Sequence, residues 1–143
     1  MSKHFFDKPF DDGTKIKLEI FRKYLEAWLP TFTRDKVHRW KDIFIYDLFA
    51  GTGMDVNDNY GSPLIIVKEL KRHYNIIKEK SLNIHVVFND LEKSNIEQLE
   101  ARVNEISPKR PYSIKYYNRD FQELFDELCK ILEKSLKTIF NRS

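Results

Sequence analysis

The stretch IFIYDLFAGTG, Ile43 to Gly53, constrains this chain more than any other. Four strand-forming residues, Ile43 to Tyr46, run into Asp47, and Leu48-Phe49-Ala50 lead on to Gly51 and Gly53. An apolar run of that length ending in a small-residue loop predicts a buried parallel strand turning over into the next element. Glycine lets the backbone take positive φ and lets another molecule approach the main chain without meeting a Cβ. Asp47 then stands at the carboxyl end of the strand, where open α/β sheets bind their ligands. A carboxylate there can hold an ammonium or hydroxyl group of a cofactor. The same glycines also suit an ordinary strand-to-helix turn with no ligand. A nicotinamide-type fingerprint fits less well, because its third glycine would fall at Val56, and the chain has no GxxxxGK[ST] phosphate loop.

The rest of the chain supplies the partners such a strand needs. Residues 1–13 read as an irregular arm anchored by Phe5, Phe6 and Phe10. Thr14 is a candidate N-cap for a helix carrying Ile16, Ile20, Phe21, Tyr24, Leu25, Trp28 and Leu29 at helical spacing, and Pro30 marks its stop. That aromatic-rich stripe is expected to pack on the sheet. A short helix over Arg34–Trp40 leads into the first strand. Beyond the polar loop MDVNDNY, Ser62 as N-cap and Pro63 at the first helical position predict a helix over residues 63–79 with Ile66, Val67, Leu70, Tyr74 and Ile77 on one side. NIHVVFN, Asn83–Asn89, is the second strand and Asp90 follows it. Ser94 opens a helix with Ile96, Leu99, Val103 and Ile106 on one side, closed by Pro108 and Pro111. Ser113–Asn118 makes a third strand. The last helix, about Phe121 to Phe140, is expected to bury Leu124, Phe125, Leu128, Ile131, Leu132 and Leu136. A helix followed by three β-α units predicts an α/β fold: a Rossmann-like parallel sheet of about three strands with flanking helices. Residues 1–40 form the N-terminal arm and helices, and 41–143 the N-terminal half of a Rossmann-like cofactor-binding domain.

Composition narrows the setting. With 143 residues, 41% hydrophobic and 14% aromatic, the chain can bury a core as one domain. Twenty-five basic and 22 acidic side chains leave a net charge of +3, which neither demands nor excludes nucleic acid. One cysteine, Cys129, cannot form an internal disulfide and suits a reducing cytosol. The polar start and the lack of a long apolar run point to a cytoplasmic protein without a membrane segment. His4, His38, His73 and His85 show no metal-ligand spacing, so no metal is expected.

Three acids follow three successive strands: Asp47, Asp90 and Asp120. In a parallel sheet those ends share one edge, so the carboxylates are placed to line a common crevice for a nucleoside-containing cofactor. Singly, each also fits a turn or capping aspartate. DLFAGTG resembles the first motif of Rossmann-like S-adenosylmethionine-dependent methyltransferases. Taken with FFDKP, TKIKLEIFRKYLEAWLP, GSPLIIVKEL and VVFNDLEK, it resembles the three-Cys-motif partner proteins, methyltransferase-like proteins named for a neighbouring zinc-ribbon protein with three cysteines. The resemblance covers most of residues 4–95. It implies S-adenosylmethionine as cofactor, with Phe49, Ala50, Gly51 and Gly53 in the motif turn beneath its methionine portion and Asp47 near its ammonium. It further implies ribose hydroxyls on Asp90, with Glu92 as the alternative, the adenine amino group on Asp120, and Leu91 and Phe121 flanking the ring. An enzyme of this kind aligns the acceptor with the methyl carbon and excludes water.

In the Rossmann-like methyltransferases an Asp-Pro-type acceptor motif follows the fourth strand. This chain has no Asp-Pro pair and ends at Asn141-Arg142-Ser143. The expectation is therefore a truncated cofactor-binding part, inactive alone, with no catalytic residue assigned. Two other classes stand beside it. One is a non-catalytic interaction module, a degenerate Rossmann unit for a zinc-ribbon-like partner. The other is nucleic-acid binding through PKRPYSIKYYNRD, where Lys109, Arg110, Tyr112, Lys115, Tyr116 and Tyr117 interleave charge and rings. A first strand lacking a neighbour on one side predicts either self-association through that edge or its cover by terminal segments.

Overall fold

The computed structural model describes residues 8–34 and 42–141. Its elements are α1 (Asp12–Trp28), α2 (Pro30–Thr33), β1 (Asp42–Asp47), α3 (Ser62–Arg72), α4 (Tyr74–Glu79), β2 (Asn83–Asn89), α5 (Lys93–Ile106), β3 (Ser113–Tyr117) and α6 (Phe121–Asn141). The strands form one parallel sheet in the order β1-β2-β3. Register runs from Asp42 beside Asn83 to Asp47 beside Phe88, and from His85 beside Ser113 to Asn89 beside Tyr117. All three carboxyl ends therefore lie on one edge. This is the expected Rossmann-like α/β unit of three strands with flanking helices.

One face of the sheet is sealed. Ile43, Ile84, Val86 and Phe88 project into a core shared with Leu64, Ile66, Val67 and Leu70 of α3 and Leu99 and Val103 of α5. Burying aliphatic side chains this completely stabilises each by about 1.5–3 kcal/mol before entropy is counted. α1 adds Leu25, and Leu29 follows it into the same cluster, so the N-terminal helix belongs to the same core. Among the described residues no helix is long and apolar enough to cross a membrane.

Several local expectations change. Asp11, not Thr14, caps α1, its carboxylate accepting from the Thr14 N–H at 2.7 Å. Pro30 starts the short turn α2 instead of ending structure, which costs nothing because a first-turn proline needs no N–H. Helix 63–79 is two helices, broken at His73 (φ −100°, ψ 15°), whose Nδ1 lies 3.0 Å from the Glu69 carbonyl. The expected helix Arg34–Trp40, except for Arg34 itself, and the anchors Phe5 and Phe6 lie outside the described residues.

Two apolar stripes are corrected. Ile16, Ile20 and Tyr24 of α1 are exposed, because α1 packs chiefly against α3. On α6 Leu124 alone of the expected stripe is buried; Phe125, Ile131, Leu132 and Leu136 face solvent. A helix of 21 residues is about 31 Å long, and a five-residue strand reaches about 17 Å, so the second half of α6 outruns the sheet beneath it.

Candidate functional site

The turn after β1 is built by glycine. Gly51 and Gly53 take φ of +69° and +96°, a region L-residues avoid. Their roles differ. A Cβ on Gly53 would stand 3.0 Å from both Leu64 and Leu99 side chains, so this glycine lets the core close. The Gly51 N–H instead donates to Asp90 Oδ2 at 3.0 Å, tying the turn to the end of β2.

Asp90 is almost wholly buried and holds protein, not empty space. Its Oδ1 accepts from the Glu92 N–H at 2.9 Å and from Asn95 Nδ2 at 3.0 Å. A carboxylate offers about four acceptor sites, and three are taken. Asp90 can thus give a ligand one further contact, not a two-handed grip. Glu92 beside it is half-buried, and its carboxylate carries no protein partner among the described residues.

Asp47 is also partly committed. It accepts from the Ser62 hydroxyl, so Ser62 serves the strand end instead of capping α3, and weakly from the Phe49 N–H at 3.4 Å. Burial pushes its carboxyl above the usual carboxylate range, the nearby Asp90 charge adds to this, and the Ser62 and Phe49 hydrogen bonds oppose it. Asp120 is exposed and caps α6, its Oδ1 taking the Gln122 and Glu123 N–H groups at 3.0 and 3.3 Å. Its Oδ2 carries no protein partner among the described residues.

Rings gather on the same edge. Phe49 is 67% exposed and Leu91 65%, and the Phe49 ring lies 4.5 Å from Phe121, centroid to centroid. Phe121 in turn stacks on Phe125 at 5.5 Å. Ala50 is buried, its N–H bonded to the Asn89 carbonyl at 2.9 Å.

Two residues that hold this edge together were not singled out from sequence. Asn89, fully buried, donates to the Leu48 and Arg119 carbonyls and accepts the Arg119 N–H, so one side chain links three strand ends. A polar residue closing the apolar run of β2 was the available signal. Asp55, inside what reads as a plain polar loop, accepts four hydrogen bonds, from the Phe10, Asn57 and Asn59 N–H groups and Asn59 Nδ2. It folds Gly53–Gly61 back on itself and ties the N-terminal segment to it. Burial raises its carboxyl, but the hydrogen bonds from Asn59, Phe10 and Asn57 outweigh that and leave it below the usual range.

The basic-aromatic segment is less available than its sequence suggests. Tyr112 is buried, Arg110 is bonded to Asn104 and the Ser107 carbonyl, and the Tyr116 hydroxyl is buried without a partner among the described residues, pushed up to about 12 by that burial. Comparison with protein-family models, with curated proteins and with solved structures finds no match to this chain.

Proposed function

We propose that the carboxyl edge of the sheet binds a nucleoside-containing cofactor, S-adenosylmethionine, as in a methyltransferase of the three-Cys-motif partner type. The observation that carries this is the exposed pair Phe49 and Leu91 flanking the Gly51 turn. Large apolar side chains are rarely left bare at a sheet's ligand edge unless something covers them. A flat adenine ring beside Phe121 is such a cover. Asp120 Oδ2 is free to take its amino group, and the free carboxylate of Glu92 takes the ribose hydroxyls while Asp90 fixes the turn. Asp47 is left to meet the ammonium. These residues hold the cofactor, and none is assigned to a methyl acceptor.

Calorimetric titration of the 143-residue chain with S-adenosylhomocysteine tests this. Binding is expected, Glu92→Ala and Phe49→Ala should each weaken it about tenfold, and Gly51→Val should abolish it. No heat and no amide shifts at millimolar ligand would overturn the proposal. A non-catalytic interaction module is the second reading, favoured by one specific observation: β1 pairs with β2 alone among the described residues, which leaves its other edge open.

A further inference from the structure

Three residues that take no part in the Gly51 turn meet toward the other end of the sheet. Asp42 opens β1, Ser113 opens β3, and His85 is the third residue of β2. Register puts them on one face. Phe44 sits beside His85 and His85 beside Ser113, and partners in a parallel ladder turn their side chains the same way. Asp42 stands two residues before Phe44, so it shares that face, the one opposite the core. The backbone thus aligns a carboxylate, an imidazole and a hydroxyl across three strands.

The protonation pattern follows from what each group can donate. His85 Nε2 lies 3.1 Å from Asp42 Oδ1, and His85 Nδ1 lies 3.4 Å from Ser113 Oγ. An ionised carboxylate only accepts, so the ring nitrogen that faces it carries the proton. In neutral imidazole the other nitrogen is then a bare acceptor, and the Ser113 hydroxyl donates to it. A serine proton aimed at a ring nitrogen, with the ring held by a carboxylate, is what turns a hydroxyl into a nucleophile, whatever the order of the residues in the chain. The Phe44 ring steadies the imidazole, stacked on it at 4.7 Å and 18°. Ser113 is exposed and His85 keeps 38% of its side chain open, so a substrate reaches both.

The adjoining cavity selects that substrate. About 230 Å3 lies between this face and α6, lined by His85 and Ser113 and walled by Phe44, Leu128 and Ile131. That space suits a short apolar acyl chain and is small for a larger ligand. Lys115, two residues along β3 on the same face, also lines it, carries no protein partner among the described residues, and can meet a developing oxyanion. We propose that Ser113, His85 and Asp42 form a second site, which hydrolyses carboxylic esters of short apolar acids. Ser113 Oγ attacks the carbonyl carbon as its proton passes to His85 Nδ1. The C–O bond to the alcohol breaks, and Nδ1 returns the proton to the leaving oxygen. Water then attacks the acyl-serine and gives a proton to Nδ1. The acid leaves, and Ser113 Oγ takes that proton back. Asp42 is a positioning residue that keeps the proton on Nε2.

The test uses the whole chain without cofactor, so it stands apart from the titration with S-adenosylhomocysteine. Phenylmethanesulfonyl fluoride should sulfonylate Ser113 with loss of fluoride, read by mass spectrometry of the peptide that contains it. Release of 4-nitrophenol from 4-nitrophenyl butyrate should fall about a hundredfold in Ser113→Ala and in His85→Phe, which keeps a ring on Phe44 and removes the base. Lys115→Ala should cost about tenfold. Asp42→Asn should lower kcat about tenfold and leave KM unchanged, which a loss of cavity shape would not do. Sulfonylation of lysines with Ser113 unmodified, release no faster than in buffer, release that survives Ser113→Ala, or an Asp42→Asn variant as fast as the wild type would each overturn the proposal.

Discussion

The two faces of this sheet are made by the same three strands and end up in opposite states. On one, Ile84, Val86 and Phe88 vanish beneath α3 and α5. On the other, Phe44 stacks on Tyr46 and on His85 in view of solvent, with α6 above them. A shallow cavity of about 230 Å3 separates Phe44 and Tyr46 from Leu124, Leu128 and Ile131 of that helix. Parallel sheets normally have both faces covered, so the face left open among the described residues carries little of the stability.

The largest effect should fall on the sealed face. Phe88→Ala should cost about 3–5 kcal/mol, because nothing around a fully buried ring can collapse to fill its place. Phe44→Ala, one strand away on the open face, should cost under about 1 kcal/mol. Urea unfolding of both variants measures the contrast, and equal losses would mean that the open face is covered in solution.

Asp55→Ala comes next, on the sealed side where the Gly53–Gly61 loop meets Phe10. Leaving buried donors unpaired should cost about 1–3 kcal/mol. Because its folded pKa lies below the ordinary 3.8, this contribution is full above the carboxylate range and drains as pH falls through it. Between about pH 5 and about pH 3 the wild type should therefore lose more stability than Asp55→Asn does.

Asp47, on the border between the faces, should behave in the opposite sense. Its pKa is raised, so the folded chain favours the protonated form and ionisation costs stability above the ordinary range. Asp47→Asn should raise the melting temperature at neutral pH, and the gain should vanish as pH falls below the ordinary value of 3.8. A destabilised variant at neutral pH would show that the Ser62 hydrogen bond outweighs the burial.

The smallest effect belongs to the bare half of α6. Leu132, 61% exposed, should tolerate serine within about 0.5 kcal/mol by the same urea measurement.

Much of this was readable before any coordinates. β2 is bounded by the same residues, Asn83 and Asn89, that its sequence pattern suggests, and α5 buries the Ile96, Leu99 and Val103 that helical spacing picks out. Strand ends, the glycine turn and the parallel sheet follow from local patterns, and the acids at the carboxyl edge follow from them. The site was readable as a set of residues and not as a set of partners. Asp90 was legible as an acid at a strand end, but its bond to the Gly51 N–H was not, while Asn89 and Asp55 gave only faint signals.

Periodicity states that a helix has an apolar side; it does not state what that side meets. α1 and α6 have the same kind of stripe as α3, yet α3 is buried and much of the other two is bare. Sequence alone determined which segments fold into helices and strands, because propensity, caps and spacing act within a few residues. Tertiary structure decided which apolar sides find a neighbour and, among the described residues, which acids keep an oxygen without a protein partner and which edge of the sheet is left unpaired. Those outcomes depend on contacts between residues such as Gly51 and Asp90, 39 positions apart, that no local pattern encodes.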